Sequence, residues 1–243
     1  MTDVGQKLFC RVTATNASGA AQAFSNVVGP VAAATPAGGS TWNPADVYTD
    51  ANADLVFSDG NRTVAGRLLF GFPYCQTRGT LGHSTGKKYF EATLNTAPSN
   101  EAYFGISDGV FALTASSIAG VTNSKGIVVH SSALNLLFYD ASNNSYNLGA
   151  TVTYANGDVA AFAVDLDAKL LWYRHNGTWL GVSADPATGA NGLDWVTGAT
   201  GTPTLPMFPY YCVKSGLNPD FSVTINTGPT FAHAVPSGFT AWG

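Results

Sequence analysis

Four histidines, a scatter of carboxylates and one Gly-x-Ser-x-Gly look-alike are the residues that could do chemistry in this chain. The histidines are His83, His130, His175 and His233. Metal sites draw ligands at short spacings such as HxH or HxxxH, or from converging elements. No such spacing occurs, so no metal is expected. His175 precedes an Asn-Gly pair and reads as a solvated turn residue; His130 ends an apolar run. A glycoside hydrolase needs two carboxyl groups, about 5 Å apart or about 6.5–9.5 Å apart, across a cleft. Glu91, Glu101, Asp108, Asp165 and Asp167 are the candidates. Asp165 and Asp167 lie two apart and flank a turn, which suits capping better than acid–base work. Gly105-Ile-Ser107-Asp-Gly109 imitates a nucleophile elbow, but no helical pattern follows it. The glycines form neither a phosphate loop nor a dinucleotide fingerprint. No catalytic residue and no cofactor are expected.

What remains is recognition. Aromatic, amide and charged residues gather in stretches that read as loops: Phe72, Tyr74, Arg78 and His83 before one strand-like run, Asn144 and Tyr146 in a polar turn, Asp194 and Trp195 in a long insert. Such mixtures suit protein hot spots and sugar stacking alike. Tyr74, Arg78 and Tyr146 are the expected exposed contacts. Trp195 serves equally well as a pin holding the insert to the body.

The elements that would position these residues read as strands. The chain has 243 residues, of which 11% are charged, with 27 glycines and a formal net charge of -4. Typical soluble proteins are about 25% charged. A turn-rich β protein with a neutral polar surface fits; a helical bundle does not. Lys87-Lys88 is the nearest approach to a basic cluster, too little for phosphate-directed nucleic-acid binding. No apolar run reaches the roughly 18 residues of a membrane-spanning helix, and the first ten residues lack the pattern of a signal peptide. Three cysteines, Cys10, Cys75 and Cys212, give an odd count and no CxxC. Cys75 lies in the loop-like FPYCQTRG, where it is expected to be the one with any exposure.

Period-two runs recur at 54–58, 67–72, 87–95, 102–107, 126–131, 134–140, 159–167, 170–175, 207–213 and 221–226. Helical periodicity is weak; FALTASSIAG (111–120) allows one short helical turn. Within DVAAFAVDLDAKLLWYRHNGTWLG (158–181), Phe162, Val164 and Leu166 point one way and Ala161, Ala163 and Asp165 the other. Asn176-Gly177 signals a type I′ turn, which needs φ > 0 at both residues. Short strands with Gly, Asn and Asp punctuation argue an all-β sandwich or jelly roll over 42–243. Residues 31–41, rich in Ala, Pro and Gly, read as a linker. Residues 1–30 read as a β-hairpin turning at Asn16–Gly19.

Two resemblances follow. GKKYFEATL (86–94), AYFGISDG (102–109), GDVAAFAVDLDAKLLWYRHNGTWLG (157–181), LPMFPYY (205–211) and VTINTGPTFAHAVPSGF (223–239) resemble, in order, the motifs of a SPRY domain. Thr227 stands where the family has an aromatic, Tyr173 stands near its usual phenylalanine, and the insert 185–204 is atypical. The resemblance implies a bent, concanavalin-like β-sandwich that binds proteins or peptides through rim loops, with Glu91 structural. Residues 1–30 resemble the last hairpin of bacterial and phage immunoglobulin-like domains, through Asp3, Gly5, Cys10 and Thr13 to Gly19, with Leu8 where that family has tyrosine. Together they imply a non-enzymatic binding or structural module of a phage virion: a tail fibre, spike or capsid decoration. The implied partners are other virion proteins or a host surface receptor, protein or glycan, within a homo-oligomer or larger assembly and without nucleic acid or membrane insertion. The alternatives are a glycoside hydrolase and an intracellular protein-interaction adaptor.

Overall fold

A computed structural model describes residues 7–8, 11–16, 19–24, 28–30, 39–49, 53–68, 74–97, 102–110, 113, 124–129, 135–139, 145–195, 204–214 and 221–243. The chain divides into two units, Met1–Gly38 and Gly39–Gly243. In the first, β1 (Lys7–Leu8) pairs with β4 (Val28–Pro30), and β2 (Arg11–Asn16) pairs with β3 (Gly19–Phe24). Asn16 faces Gly19 across a two-residue connection, which is the hairpin that the Asn-Ala-Ser-Gly sequence indicates.

The second unit is built from two sheets. The first contains β5 (Trp42–Tyr48), β8 (Tyr74–Gly79), β10 (Ala102–Asp108), β11 (Ser124–Val129), β12 (Asn135–Tyr139), β13 (Ser145–Thr151) and β18 (Met207–Lys214). Their order is β13-β12-β11-β10-β18-β8-β5. The second contains β6 (Ala53–Ser58), β7 (Thr63–Leu68), β9 (Lys87–Thr96), β14 (Val159–Asp165), β15 (Leu170–His175), β16 (Thr178–Trp179) and β19 (Ser222–Asn226). Their order is β16-β15-β14-β9-β19-β7-β6, with β17 (Leu193–Asp194) added to β15 and β20 (Thr240–Ala241) to β9. Every pair is antiparallel except β20 with β9. Among the described residues there is no helix.

Alternation explains the core. Phe90, Phe162, Tyr173 and Ile225 from the second sheet meet Phe104, Ile106, Tyr211 and Val213 from the first. Phe90 stacks on Phe162 with ring centres 4.8 Å apart, and Phe104 meets Phe162 edge-on at 5.7 Å. Each such side chain contributes about 1.5–3 kcal/mol by leaving water. The β14–β15 ribbon matches its expected facing: Phe162, Val164 and Leu166 enter this core. Ala161 and Ala163 face the other side, where their small side chains leave room for Phe239 and the C-terminal segment. Asn176 and Gly177 have φ of 43° and 86°, the left-handed pair that the turn requires.

Three expectations are corrected, and one strand was not anticipated. YCQTRG within the stretch FPYCQTRG is not a loop: Tyr74–Gly79 is a strand paired on both sides, and Cys75 is fully buried. The run expected at 67–72 overlaps a strand that begins earlier, at Thr63, because Asp59, Gly60 and Asn61 are all left-handed and reverse the chain just before it; residues 69–72 lie outside the described residues. Tyr146 lies within strand β13 opposite Phe138, not in a turn. Trp42–Tyr48 is a strand despite Asn43-Pro44; it sits at a sheet edge with an irregular register, where proline is tolerated. The helical turn proposed within 111–120 falls outside the described residues.

Candidate functional site

One rim of the sandwich gathers the segment 80–86, the end of β10, the start of β18 and the C-terminus. Segment 80–86 is tied down on several sides. Thr80 N donates to Thr41 O, Leu81 N to Ser40 Oγ, and Trp242 Nε1 to Leu81 O. His83 and Met207 exchange backbone bonds at 2.9 Å in both directions. His83 Nε2–H donates to Trp242 O at 2.6 Å. Burial, the larger influence, pulls the His83 pKa below the usual imidazole value; the Trp242 carbonyl pulls the other way, and Lys88 adds to the lowering. The neutral ring therefore acts as a fixed donor.

Between segment 80–86 and the end of β10 lies Phe208. A Cβ on Gly82 would stand 2.6 Å from the Phe208 ring, and one on Gly109 would stand 3.0 Å from it. The two glycines let two backbones close on the ring, and no larger residue fits at Gly82 without displacing it. Beside them, Leu81 is 37% and Val110 65% exposed. The Phe208 ring thus lies between Gly82 and Gly109, whose neighbours in sequence, Leu81 and Val110, are exposed.

The sequence-predicted residues are distributed differently. Arg78 is not an exposed contact; it is 6% exposed, with its Nε and Nη2 paired bidentately to Asp46 and its Nη1 donating to Asp108 O. Asp108 in turn accepts from Thr204 N. Tyr74 is half-buried on β8, its ring edge-on to Tyr103. Trp195 is 1% exposed and belongs to the core, pinning the insert; its backbone N–H donates to Lys169 O. Asp194 is exposed on β17, opposite Leu170. Of the described members of the set, Arg78 and His83 lie at the Phe208 rim. Phe72, Asn144, His130 and Glu101 lie outside the described residues, as does any side-chain role of Tyr146. Leu81, Phe208 and Val110 were missed; the signal was a glycine next to an apolar residue at two strand ends.

The carboxylates are committed to structure. Asp165 Oδ1 accepts from Asp167 N and Ala168 N, and Asp167 Oδ2 accepts from Gly86 N. Asp165 caps its own turn, as the spacing suggested, whereas Asp167 ties that turn to Gly86 before β9. Glu91, 1% exposed, accepts from Tyr89 Oη at 2.7 Å, Ala232 N at 2.8 Å and His233 N at 3.0 Å. Arg174 lies 3.7 Å from this carboxylate, donates to Tyr89 Oη and Ala234 O, and stacks over the Tyr89 and Trp179 rings. Burial, reinforced by donation to Glu91, holds the Tyr89 phenol well above its ordinary pKa, so it remains a donor. This charged cluster straps residues 231–235 across the outer face of the second sheet. Among the described residues, no three His, Cys, Asp or Glu side chains gather so as to hold a metal ion.

His175 is not solvated. Its Nε2 meets Asp158 Oδ2 at 2.8 Å, and Asp158 Oδ1 accepts from Asn176. Burial pushes the Asp158 pKa up, but the hydrogen bonds from Asn176, Ala155 N and His175, with the His175 charge, together hold it below the usual value. A depressed carboxylate stabilises the fold above its unfolded pKa and loses that contribution as pH falls through the folded value. Asp158→Asn should therefore cost about 1 kcal/mol at neutral pH, a loss that fades as the pH falls through the depressed carboxylate pKa. Urea denaturation followed against pH checks this; a loss that stays constant into the acid range would contradict it.

The SPRY domain of human HERC1 aligns with a TM-score of 0.51 at 13% identity, covering 76% of this chain and 96% of that one. The PSpry domain of TRIM65 aligns with a TM-score of 0.52 at 12% identity, covering 78% and 93% respectively. The second unit has the SPRY-type β-sandwich fold. No protein-family model and no curated protein sequence matches the chain.

Proposed function

We propose that this chain is a non-catalytic, protein-binding module of a phage virion, and that it makes contact through the rim built on Phe208. The observation that carries the reading is the apolar cluster itself. Leu81 sits on hydrogen-bonded backbone, Phe208 lies in strand β18, and the exposed Val110 follows Gly109, which stands against the Phe208 ring, at the end of a sandwich whose buried charges are spent on internal pairing. Apolar side chains on a rigid rim favour a protein partner over a glycan, whose hydroxyls need polar groups and flat aromatic faces. The SPRY-type fold supports an interaction role in the coarse sense; fold alone does not fix function.

The virion setting rests on the phage-like N-terminal hairpin, the Ala/Pro/Gly-rich stretch after it and a surface of low charge. A tail fibre, a spike or a capsid decoration fits, with another virion protein or a host surface protein as partner. The test pairs Leu81→Ser with Val110→Ser in the full chain and measures binding to intact host cells and to purified virus particles lacking the protein. Each change should weaken whichever association occurs by about tenfold or more, as for central interface residues, without lowering the melting temperature. Binding unchanged by the double variant would refute the rim as the contact, and cleavage of host polysaccharide by the chain would refute the non-catalytic reading.

A further inference from the structure

Three Asn-Gly pairs occur in the chain: Asn156-Gly157, Asn176-Gly177 and Asn191-Gly192. An asparagine followed by glycine can modify itself, because the glycine nitrogen, with no Cβ beside it, is open to attack the asparagine Cγ. The structure treats the three pairs differently. Asn156 Oδ1 accepts from Ala97 N at 2.7 Å, and Gly157 N, the nucleophile, is occupied by donating to Leu94 O at 2.7 Å. Asn176 is gripped at both ends of its amide. Its Oδ1 accepts from Val159 N at 2.8 Å, and its Nδ2 donates to Asp158 Oδ1 at 2.7 Å.

Asn191 is exposed, and among the described residues its side chain makes one bond, from Nδ2 to Ser183 O at 3.2 Å. Its neighbouring nitrogen is free. Trp195 N donates to Lys169 O, one step beyond the Leu170–Asp194 pair of β15 and β17. By antiparallel alternation Leu171 and Leu193 share hydrogen bonds, and Gly192, opposite Trp172, points its N–H away from β15. That N–H meets no backbone acceptor among the described residues. The fold demands both residues of this pair. Asn191 has a left-handed φ of 50°, which asparagine tolerates. A Cβ at Gly192 would stand 2.6 Å from the Trp172 ring, so a larger residue does not fit. Seating the insert on Trp172 thus places a reactive dipeptide at the surface.

We propose that Asn191 is a site of spontaneous deamidation. Gly192 N bonds to Asn191 Cγ, and Nδ2 leaves as ammonia, taking up the Gly192 amide proton. Water then opens the cyclic imide at either carbonyl, giving aspartate or isoaspartate. The new carboxylate has no proton for Ser183 O and repels it. Ser183 is itself left-handed, at φ 54°, and follows Val182, which is 85% exposed. Deamidation therefore adds a negative charge and releases the segment 182–184 from residue 191.

The full chain, aged at mildly alkaline pH in heavy-oxygen water and then digested, tests this by mass spectrometry of the three peptides. The label separates ageing from deamidation during digestion. The peptide bearing Asn191 should accumulate labelled aspartate and isoaspartate roughly tenfold or more faster than those bearing Asn156 and Asn176, whose hydrogen bonds must open first. In guanidinium chloride the three rates should converge, since glycine follows all three. Asp158→Ala should speed Asn176 and leave Asn191 as it was. Amides of 182–184 should exchange faster in the aged chain. Equal rates at the three sites of the folded chain overturn the proposal. So does an Asn191 that persists in the folded chain while the denatured chain converts it.

Discussion

Replacing Glu91 with alanine should cost about 3–5 kcal/mol of folding stability, one of the two largest single losses expected in this chain. The carboxylate is 1% exposed and satisfies three donors at once: the Tyr89 hydroxyl and the consecutive amides of Ala232 and His233. Its removal strands all three, and it leaves Arg174 buried beside no anion. An uncompensated buried guanidinium costs more than the ion pair contributed. Glu91→Gln keeps an acceptor oxygen for the amides but not the charge, so its loss should be smaller, about 1–3 kcal/mol. Urea denaturation of both variants measures the order. A loss below about 1 kcal/mol for Glu91→Ala would mean that the strap over the second sheet is held mainly by Phe231 and Phe239.

Trp242→Ala should be comparable, at about 3–5 kcal/mol, but for a different reason. The indole is fully buried, edge-on to Phe90 at 5.2 Å and to His83 at 5.3 Å, and its Nε1–H holds Leu81 O. The loss combines a large cavity with a released carbonyl at the rim. Trp242→Phe refills much of the volume and forfeits the bond, and should cost about 1–2 kcal/mol. Hydrogen exchange separates the two components. Amides of residues 81–83 should exchange faster in both variants, whereas those of the distant β14–β15 ribbon should quicken only with global destabilisation. Unchanged exchange at 81–83 would show that the C-terminal tryptophan fills the core without steering the rim.

How far the sequence could be read depends on how local each signal was. The β14–β15 ribbon was legible because alternation, a capped turn and Asn176-Gly177 all lie within a short stretch of chain. The order of the SPRY-like motifs pointed to the fold that HERC1 and TRIM65 share with this chain. Strand β8 was illegible because it is buried on both faces: Gln76 and Arg78 alternate with Cys75 and Thr77, so no apolar face repeats. The burial of Arg78 depends on Asp46, 32 residues away, and no short-range pattern carries that pairing. The Phe208 rim has the same character. A phenylalanine in a strand reads as core until its ring is seen lying against Gly82 and Gly109, which come from two other parts of the chain.

The tethering of residues 80–83 also bears on how association would proceed. A loop anchored through Thr41, Ser40, Met207 and Trp242 has already surrendered its conformational freedom during folding. A partner meeting it has little further ordering to impose, so the surface should engage as a rigid body, and its backbone should superimpose closely before and after capture.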